Sequence, residues 1–446
     1  MVRASLSPGT TAMTNPTRRE MLSASTALLA TSALGRGQEP APTARPVGAN
    51  DAITLGFIGV GGMGSGLLEI FKKMPDVRVA AVCDVYETNR LKAKEAAGGK
   101  PDAVEDFRRV LDRTDIDAVV IATPDHWHAI PTILACQAGK DVYCEKPLSF
   151  RIDEGRAMVT AATQNKRVTQ MGNLIHAGEN YRRVVEIVRS GVLGPISKAK
   201  VWMAADRRGL GRPADCPAPA GLNYDMWLGP APKRDFNPNR FMFNWRFHWD
   251  YAGGVLCDFV CHIVDLVHWA MEVEAPETIT ATGGRYVLDD NCDTPDTLEV
   301  LYHYAKGPKG FDLTWSQTDG SSHGFEGLPQ GILFQGTEAT LLATYNTFQI
   351  FPEKKDATIA LPEKSLKRSV GHHREWLDAI KTREQTTCHF EYGHRLSSVG
   401  HLGNIALWTG EKLKWDAKNE RVINHADANM HLSRVEPRSP WTLPKV

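Results

Sequence analysis

One stretch near the start of the chain constrains the fold more than any other: "AITLGFIGVGGMGSGLLEIFKKM", which begins at Ala52. An apolar run leads into Gly59, Gly61 and Gly64, which fill the pattern G-x-G-x-x-G, and an amphipathic helical pattern follows. The first glycine permits a tight turn, the second lets the backbone approach a pyrophosphate, and the third lets helix and strand pack closely. The helix N-terminus then faces the phosphates. This stretch predicts a dinucleotide-binding unit in an α/β fold.

The next apolar run, "VRVAAVCD", ends in Asp84, an acid twenty residues after the last glycine of the motif. A carboxylate at this point accepts hydrogen bonds from ribose hydroxyls and repels a 2′-phosphate. The acid therefore favours NAD over NADP. Gly62 and Met63 lie inside the glycine motif and are predicted to contact the same cofactor. The alternative is a glycine-rich turn in some other α/β domain.

Two further segments follow apolar strands in "DIDAVVIATPDHWHAIPTILACQAGKDVYCEKPLS". The pattern predicts a strand ending at Thr123, a helix from about His128 and a strand ending at Cys144. Ligands of open α/β sheets bind beyond the carboxyl ends of the strands. Pro147 also keeps the residue before it out of the helical conformation. Additional cofactor contacts are therefore predicted at Thr123, Pro124, His128, Glu145 and Lys146, although a lysine after a strand can also simply be solvated.

The stretch "GGVLCDFVCHIVDLVHW" is typical of a buried helix, yet it contains Asp258 and His262. Residues four apart share one helix face, and burying a carboxylate is costly unless it is paired. Either the two side chains pair with each other inside the protein, or they face a polar ligand.

Later apolar–polar alternation, as in "ISKAKVWMAA" and "TLEVLYHYA", predicts a sheet covered on one face. Helices are predicted at about 372–382 and 392–409.

These motifs together resemble the glucose–fructose oxidoreductase / inositol dehydrogenase (Gfo/Idh/MocA) family. The resemblance is carried by "GFIGVGGMG", the acid at Asp84, "TPDHWHA", "YCEKPLS" and the pattern from Gly253 to Asp265. The Glu-Lys-Pro after a strand, joined to a later Asp-x-x-x-His, is the most specific part. "TPDHWHA" and "NWRFHWDYAGG" are also similar to an exported branch of the family that carries twin-arginine signals.

The resemblance implies an N-terminal Rossmann domain followed by an α/β domain with a large open, mainly antiparallel sheet. It implies that Lys146 lies beside the nicotinamide, that His262 is the acid/base and that Asp258 holds a substrate hydroxyl. A histidine suits removal of a hydroxyl proton because its ordinary pKa is close to neutral, and an ammonium stabilises the oxygen that is left. The long segment at 207–249 departs from smaller family members, so the sugar is not identified.

Weaker candidates for substrate contact share a position near the predicted cleft or an aromatic ring that stacks on sugars. They are His126, Trp127, His176, Tyr181, Arg182 and Trp249. For each of them, packing within the protein is the alternative. The predicted substrate is a small carbohydrate-like molecule, and the predicted assembly is a homo-oligomer, either dimer or tetramer.

The first residues have the layout of an export signal. "TRREMLSASTALLATSALG" contains the twin arginine Arg18–Arg19, a short apolar run and small residues, although a disordered basic tail is the alternative. The predicted organisation is a signal peptide at 1–35, a linker at 36–50, an NAD-binding domain at 51–172 and a substrate-binding domain at 173–446. The expected location is the periplasm. A periplasmic enzyme would need to keep its cofactor bound.

Composition excludes several classes of function. The net charge is +0 and no long charge run occurs, so no nucleic-acid partner is expected. No uninterrupted apolar stretch reaches about 18 residues, so no membrane insertion is expected after signal removal. The eight cysteines show no zinc spacing, and no metal is predicted. Three hypotheses remain: a sugar or polyol oxidoreductase, a glycoside-cleaving enzyme that uses the same hydride chemistry transiently, and a non-catalytic ligand sensor.

Overall fold

Strands and helices alternate through the first part of the chain and build a parallel sheet. The computed structural model describes residues 52–305, 310–355, 357–434 and 436–446, so the predicted signal and linker (1–35 and 36–50) lie outside the described residues. The strands are β1 (Ile53–Ile58), β2 (Val77–Cys83), β3 (Asp102–Val104), β4 (Ala118–Ile121), β5 (Asp141–Glu145) and β6 (Thr169–Gly172). Their order is β3-β2-β1-β4-β5-β6, which is the dinucleotide-binding order.

Helices cover this sheet, and their apolar faces pack on it. They are α1 (Gly62–Phe71), α2 (Glu87–Ala96), α3 (Arg108–Leu111), α4 (Ala129–Gln137) and α5 (Ile152–Gln164). Strands β1, β4 and β5 are buried along their whole length, which explains their nearly continuous apolar sequences. The carboxyl ends of β1, β4 and β5 therefore meet at one edge of the sheet.

The second domain is built on a sheet of nine strands. These are β7 (Ile196–Ala205), β8 (Thr278–Gly284), β9 (Thr297–Tyr304), β10 (Phe311–Asp319), β11 (Gln330–Gly336), β12 (Ala339–Ala343), β13 (Phe348–Pro352), β14 (Leu413–Asp416) and β15 (Arg421–Val422). Their order is β13-β12-β11-β7-β10-β9-β8-β14-β15, and only β7 and β10 pair in parallel. The predicted fold class, a Rossmann domain followed by a domain with a mainly antiparallel sheet, is confirmed.

Five more helices follow: α6 (Glu179–Arg189), α7 (Tyr224–Leu228), α8 (Gly254–Met271), α9 (His372–Thr382) and α10 (Phe390–Thr409). Helices α8 and α10 pack on one face of the second sheet, whereas α9 packs on the apolar core of the first domain through Trp376 and Leu377. Along β9, Leu298, Val300 and Tyr302 point into the core, and the Tyr302 hydroxyl donates to the carbonyl of Val399 on α10 at 3.0 Å. Among the described residues, α8 is the one helix long and apolar enough to cross a membrane, and 78% of it is buried inside the protein, as in a core helix.

The segment at 207–249 contains little regular structure and packs through aromatic side chains. Trp227, Phe236, Phe241 and Trp245 form one buried cluster with Tyr251. Short 3₁₀ turns at Pro238–Arg240 and Asn244–Phe247 lead the chain from this cluster towards α8. This segment lies against the loop after β4 and so reaches the edge of the first sheet where ligands are expected.

Candidate active site

The three glycines of the loop after β1 have different physical roles. Gly59 has a φ of +81°, and a Cβ there would lie 2.7 Å from the amide nitrogen of Thr123. A Cβ on Gly64 would collide with the carbonyl oxygen of Gly59. Gly61 is different, because the nearest atom to its Cβ would be the Asn89 Nδ2 at 3.7 Å. Gly59 and Gly64 are thus needed for the fold itself, whereas the absence of a side chain at Gly61 leaves an open space beside the loop.

That open space lies at the start of α1. Among the residues that the structure describes, no side chain caps the helix, so the amides of its first turn, including those of Gly62 and Met63, are available to an anion. A helix N-terminus also favours negative charge. The cradle beside Gly61 therefore fits the pyrophosphate of a dinucleotide.

Asp84 follows β2 and reaches the glycine loop. Its carboxylate accepts hydrogen bonds from the backbone amides of Val60 at 3.0 Å and Tyr86 at 2.9 Å, and from Asn89 Nδ2 at 3.3 Å. Burial raises the pKa of Asp84 from its ordinary value, and these hydrogen bonds oppose the rise. The acid thus holds the loop and lies where ribose hydroxyls are expected.

The Asp84→Ala variant should bind NAD about tenfold to a hundredfold more weakly, because a charged hydrogen-bond acceptor is lost. Its preference for NAD over NADP should also narrow, because the repulsion of a 2′-phosphate disappears. Calorimetric titration with both cofactors measures the two effects. Asp378→Ala, on the exposed surface of α9, is the control. An Asp84→Ala variant with wild-type affinity for both cofactors would contradict the assignment.

The loops after β4 and β5 are tied together by His128. Its Nδ1 lies 2.8 Å from the carbonyl oxygen of Pro147, and its Nε2 lies 2.9 Å from that of Thr123. Burial lowers its pKa to about 4. Both ring nitrogens face protein carbonyls, so this residue positions the Thr123–Pro124 and Glu145–Lys146 segments. Its contact with the cofactor stays a prediction.

Lys146 and Asp258 join the two domains. The Lys146 ammonium donates to Asp258 Oδ1 at 2.6 Å and to the Asp258 carbonyl oxygen at 2.9 Å. The two side chains are only 10% and 17% exposed. Burial alone would raise the pKa of Asp258, but the charges of Lys146 and Arg246 outweigh it and hold the pKa well below its ordinary value. This pair is an ionised contact at the edge of the first sheet.

His262 takes a different partner, one turn further along α8. Its Nδ1 lies 3.2 Å from the Asn173 Oδ1, and the Tyr181 hydroxyl donates to the His262 carbonyl oxygen at 2.8 Å. An amide oxygen can only accept, so Nδ1 carries the proton and Nε2 keeps its lone pair. Burial, followed by the charge of Lys146, lowers the pKa of His262 to about 3. The ring is therefore a neutral base, and Asp258 and His262 do not pair with each other.

The low pKa of His262 changes how the activity of the protein is expected to depend on pH. We expected a histidine that titrates near neutrality, but desolvation keeps this one neutral. The group with a pKa near neutrality is Glu145, which burial raises to about 7 against the lowering effect of Lys146. The Glu145 carboxyl group occupies the space where a Cβ at Gly172 on β6 would lie.

Glu145→Gln should therefore change how stability depends on pH. The folded-state pKa of Glu145 is raised, so the folded protein favours the protonated carboxyl group. The stabilising contribution of this group to the free energy of unfolding is therefore complete below about pH 4.5 and is lost as the pH rises through about 7. The free energy of unfolding of the wild type should fall relative to that of Glu145→Gln by about 3 kcal/mol between pH 4.5 and pH 8. Denaturant unfolding of both apo proteins across this range measures the difference. A difference that does not vary with pH would argue against a buried, titrating Glu145.

Two charged residues of the cluster were missed in the sequence. Asp125 is only 5% exposed, and burial raises its pKa well above the usual range. The Arg246 Nε lies 3.5 Å from the Asp258 Oδ2. Both stand in stretches, "TPDHWHA" and "NWRFHWDY", that drew attention for their histidines and aromatics. A charged residue among aromatic and apolar neighbours was the signal that could have identified them.

His126 and Trp127 each direct one polar group to the 207–249 segment, and their contact with substrate stays a prediction. The His126 Nε2 lies 3.0 Å from the carbonyl oxygen of Trp227, and the Trp127 Nε1 donates to the same oxygen at 3.0 Å. Both side chains are buried. Their role is to fix the 207–249 segment on the first domain.

The candidates after β6 contact α8 or one another, and their contact with substrate stays a prediction. His176 is buried with its Nδ1 3.0 Å from the Asp265 carboxylate, and its ring stacks on Trp269. Arg182 donates to the carbonyl oxygen of His176 at 2.7 Å. These contacts, like that of Tyr181, support the helix that carries His262. Trp249 is half-buried against Trp408, with ring centroids 4.9 Å apart, and its contact with substrate stays a prediction.

Over the part of the chain that the structure describes, no group of three or more His, Cys, Asp or Glu side chains is placed to hold a metal ion. The polar cluster at the sheet edge consists instead of Lys146, Asp258, His262, Arg246 and Asp125. Such a set can bind hydroxyl groups and move a proton.

A parallel sheet with this glycine loop, followed by an antiparallel sheet domain that supplies a histidine, defines a dinucleotide-binding oxidoreductase fold. Two family models match: "Oxidoreductase family, NAD-binding Rossmann fold" over residues 53–173 and "Oxidoreductase family, C-terminal alpha/beta domain" over residues 180–443. The chain belongs to the Gfo/Idh/MocA oxidoreductase family, and its first domain is an NAD-binding Rossmann fold.

Solved structures share this fold at low identity. A levoglucosan dehydrogenase in complex with NADH aligns with a TM-score of 0.60 and 18% identity over 81% of this chain and 99% of that chain. The WlbA dehydrogenase from Bordetella pertussis, in complex with NADH and UDP-GlcNAcA, aligns with a TM-score of 0.62 and 17% identity over 82% of this chain and 99% of that chain.

Curated relatives match over a shorter region. A "Glycosyl hydrolase family 109 protein" from Shewanella putrefaciens is 31% identical over 154 residues, which is 33% of this chain and 34% of the relative. One from Saccharopolyspora erythraea is 31% identical over 157 residues, again 33% and 34%. The chain thus matches about a third of the length of these relatives.

Proposed function

We propose that the protein is an NAD-dependent oxidoreductase that transfers hydride between a sugar or polyol hydroxyl and a tightly held nicotinamide. The observation that carries this proposal is the ionised Lys146–Asp258 pair beside the neutral His262, at the strand ends of the NAD-binding sheet. Related structures hold L-sorbose and UDP-GlcNAcA, which supports a carbohydrate-like substrate.

Each of the three residues has a distinct task in this reaction. When bound, the nicotinamide supplies the acceptor for the hydride. The His262 Nε2 takes the hydroxyl proton, because Asn173 engages the other ring nitrogen. The Lys146 ammonium stabilises the negative charge that develops on the oxygen. Asp258 orients Lys146 and accepts from a neighbouring hydroxyl.

Glycoside cleavage is a second candidate, favoured by the names of the curated relatives. Oxidation of a ring hydroxyl to a ketone makes the neighbouring C–H acidic. A base removes that proton, the aglycone leaves with the electron pair, water adds to the resulting double bond, and the hydride returns to the ketone. This cycle consumes water and leaves the redox state of the cofactor unchanged.

One experiment separates the candidates. The purified protein is mixed with a panel of sugars and aryl glycosides, with and without added NAD, and both NADH absorbance and aglycone release are recorded. Accumulating NADH supports the oxidoreductase, and aglycone release without net NADH supports cleavage. Lys146→Ala serves as the inactive control. Neither signal with any compound would favour a ligand-sensing protein.

We also propose export through a twin-arginine signal at 1–35. A folded-export route allows the cofactor to be loaded in the cytoplasm and carried across, but the periplasm should hold little free NAD. The purified mature protein should therefore retain NAD or NADH, visible by absorbance and by mass spectrometry after denaturation. Turnover should persist without added cofactor. An apo protein that needs a constant excess of NAD would contradict this proposal.

A homo-oligomer, dimer or tetramer, completes the proposal. The second sheet is covered by helices on one face, and its other face carries the Leu301 side chain, which is 43% exposed. Light scattering coupled to size-exclusion chromatography tests this directly. The single substitution Leu301→Glu should shift the equilibrium towards the monomer.

A further inference from the structure

The two oxygens of the Asp258 carboxylate face two different cations. The Lys146 ammonium donates to Oδ1 at 2.6 Å, and the Arg246 Nε lies 3.5 Å from Oδ2. His262 adds no charge, because its Nδ1 holds one proton towards Asn173 and desolvation keeps the ring neutral. The group of Lys146, Asp258 and Arg246 therefore contains two positive charges and one negative charge.

Two further acids act on this group, and burial opposes the ionised form of both. The Glu145 carboxyl group accepts from the Lys146 backbone amide at 3.2 Å, and its pKa rises to about 7. Asp125 is 5% exposed, and burial raises its pKa well above the ordinary value. Below about pH 7 these acids are largely neutral, so the excess of one positive charge remains.

Arg246 is held mainly through the faces of its guanidinium. The group lies over the rings of Trp245 and Phe243, at 4.2 Å and 4.5 Å from their centroids. Its hydrogen bond to a described residue goes from Nη1 to the Phe243 carbonyl oxygen at 3.2 Å, and Nη2 has no such acceptor over the described part of the chain. A guanidinium has five N–H donors in a planar fork, so a fixed cation keeps several donors for a ligand.

Stabilisation of the Asp258 carboxylate is the alternative role for Arg246. Lys146 already supplies a short charged hydrogen bond to that carboxylate, whereas 3.5 Å exceeds the length of about 2.7–2.9 Å that is usual for such bonds. The side chains of Lys146, Asp258 and Arg246 are only 10%, 17% and 19% exposed. An excess charge that is largely withdrawn from water is costly unless an opposite charge balances it.

We propose that Arg246 binds an anionic group of the substrate, so that the substrate class is an acidic sugar, either a uronic acid or a sugar phosphate. The planar fork of a guanidinium matches the oxygens of a carboxylate or of a phosphate. Arg246 then determines specificity, while Lys146 and Asp258 hold the reacting hydroxyls. The inference rests on the proposed function for the sugar part of the ligand, but a preference for charge can be measured without turnover.

The test compares Arg246→Gln and Arg246→Lys with the wild type, each as its NADH complex, at about pH 6, where Glu145 is largely protonated. Saturation-transfer NMR measures the binding of glucuronate, galacturonate and glucose 6-phosphate, each beside its neutral parent sugar, glucose or galactose. Arg208→Gln, on the exposed surface, is the matched control. Thermal unfolding reports the folding of each variant, and calorimetric titration reports its NADH affinity.

We expect at least one acidic sugar to bind the wild type about tenfold or more tightly than its neutral parent. Arg246→Gln should remove this preference with little effect on the neutral sugars. Arg246→Lys should keep part of it, because an ammonium keeps the charge but loses the fork. Preference for the uronic acids identifies the anion as a carboxylate, and preference for glucose 6-phosphate identifies it as a phosphate.

A wild type that binds no acidic sugar more tightly than its neutral parent overturns the inference, and so does a preference that survives in Arg246→Gln. Turnover of neutral sugars alongside either result leaves the proposed function standing. A preference for an acidic sugar that depends on Arg246, without turnover of any sugar, counts against the proposed reaction alone.

Discussion

Replacing His262 with alanine is expected to lower kcat by about 10²- to 10⁴-fold, the usual contribution of a general acid–base group. NAD affinity should remain unchanged, because the described hydrogen bond of the His262 side chain goes to Asn173 and not to the glycine loop. The low pKa of His262, about 3, also predicts that activity does not fall when the pH is lowered through 6.5. A histidine with its ordinary pKa would lose its base form there.

Steady-state kinetics at several pH values, with calorimetric titration of NAD, provide the measurement. His303→Ala is the matched control, because His303 lies on β9, is partly exposed and pairs only with Asp312. Asn173→Ala should give a smaller loss than His262→Ala, since it removes only the group that selects the tautomer. Wild-type turnover in His262→Ala would show that the ring is structural.

Lys146 needs a more careful substitution than His262. Breaking a buried ion pair typically costs about 3 to 5 kcal/mol, and in Lys146→Ala the second cation near Asp258, Arg246 with its Nε 3.5 Å from Asp258 Oδ2, should reduce that cost. The Lys146→Ala variant therefore combines a catalytic loss with a smaller folding loss around Asp258. Comparing its stability and activity with those of the double variant Lys146→Ala/Asp258→Asn separates the two losses, because the double variant has no carboxylate that has lost Lys146.

The first domain could be predicted from its sequence because its signals are local. The glycines, the strand before them and the acid after β2 lie within about thirty residues, and each has one physical explanation. The same holds for the part of β7 from Lys198 to Val201, where polar and apolar residues alternate. Helix α10 begins at Phe390, two residues before the predicted start, because the side chain of His389 accepts from the Tyr392 amide and caps it.

The site was only partly predictable, because its decisive contacts join distant parts of the chain. Lys146 and Asp258 are 112 residues apart, and Asn173 and His262 are 89 apart. No periodicity indicates that Lys146 is the partner of Asp258. His126 and Trp127 also follow a strand end, yet the His126 Nε2 and the Trp127 Nε1 contact the carbonyl oxygen of Trp227. A position near a strand end is necessary for contact with a ligand but does not say whether the side chain turns to the cleft or to a docking segment.

The Gly61→Val variant is expected to bind NAD at least about a hundredfold more weakly than the wild type. The reason is specific to this glycine. Its φ of −69° and ψ of −151° are accessible to valine, and the closest atom to an added Cβ is 3.7 Å away. The apo variant should therefore fold with a Tm near that of the wild type. The added methyl groups occupy the space over the first turn of α1 that a pyrophosphate needs.

Gly64→Val provides the contrast, because its Cβ collides with the Gly59 carbonyl oxygen and the α1–β1 packing must open. That variant should lose stability whether or not cofactor is present, whereas Gly61→Val should lose only the stabilisation that bound NAD provides. Calorimetric titration and thermal unfolding, both on cofactor-stripped protein, distinguish the two outcomes. If Gly61→Val binds NAD as the wild type does, the pyrophosphate lies elsewhere and the cofactor site must be reassigned, even though the sheet order would still be that of a Rossmann domain.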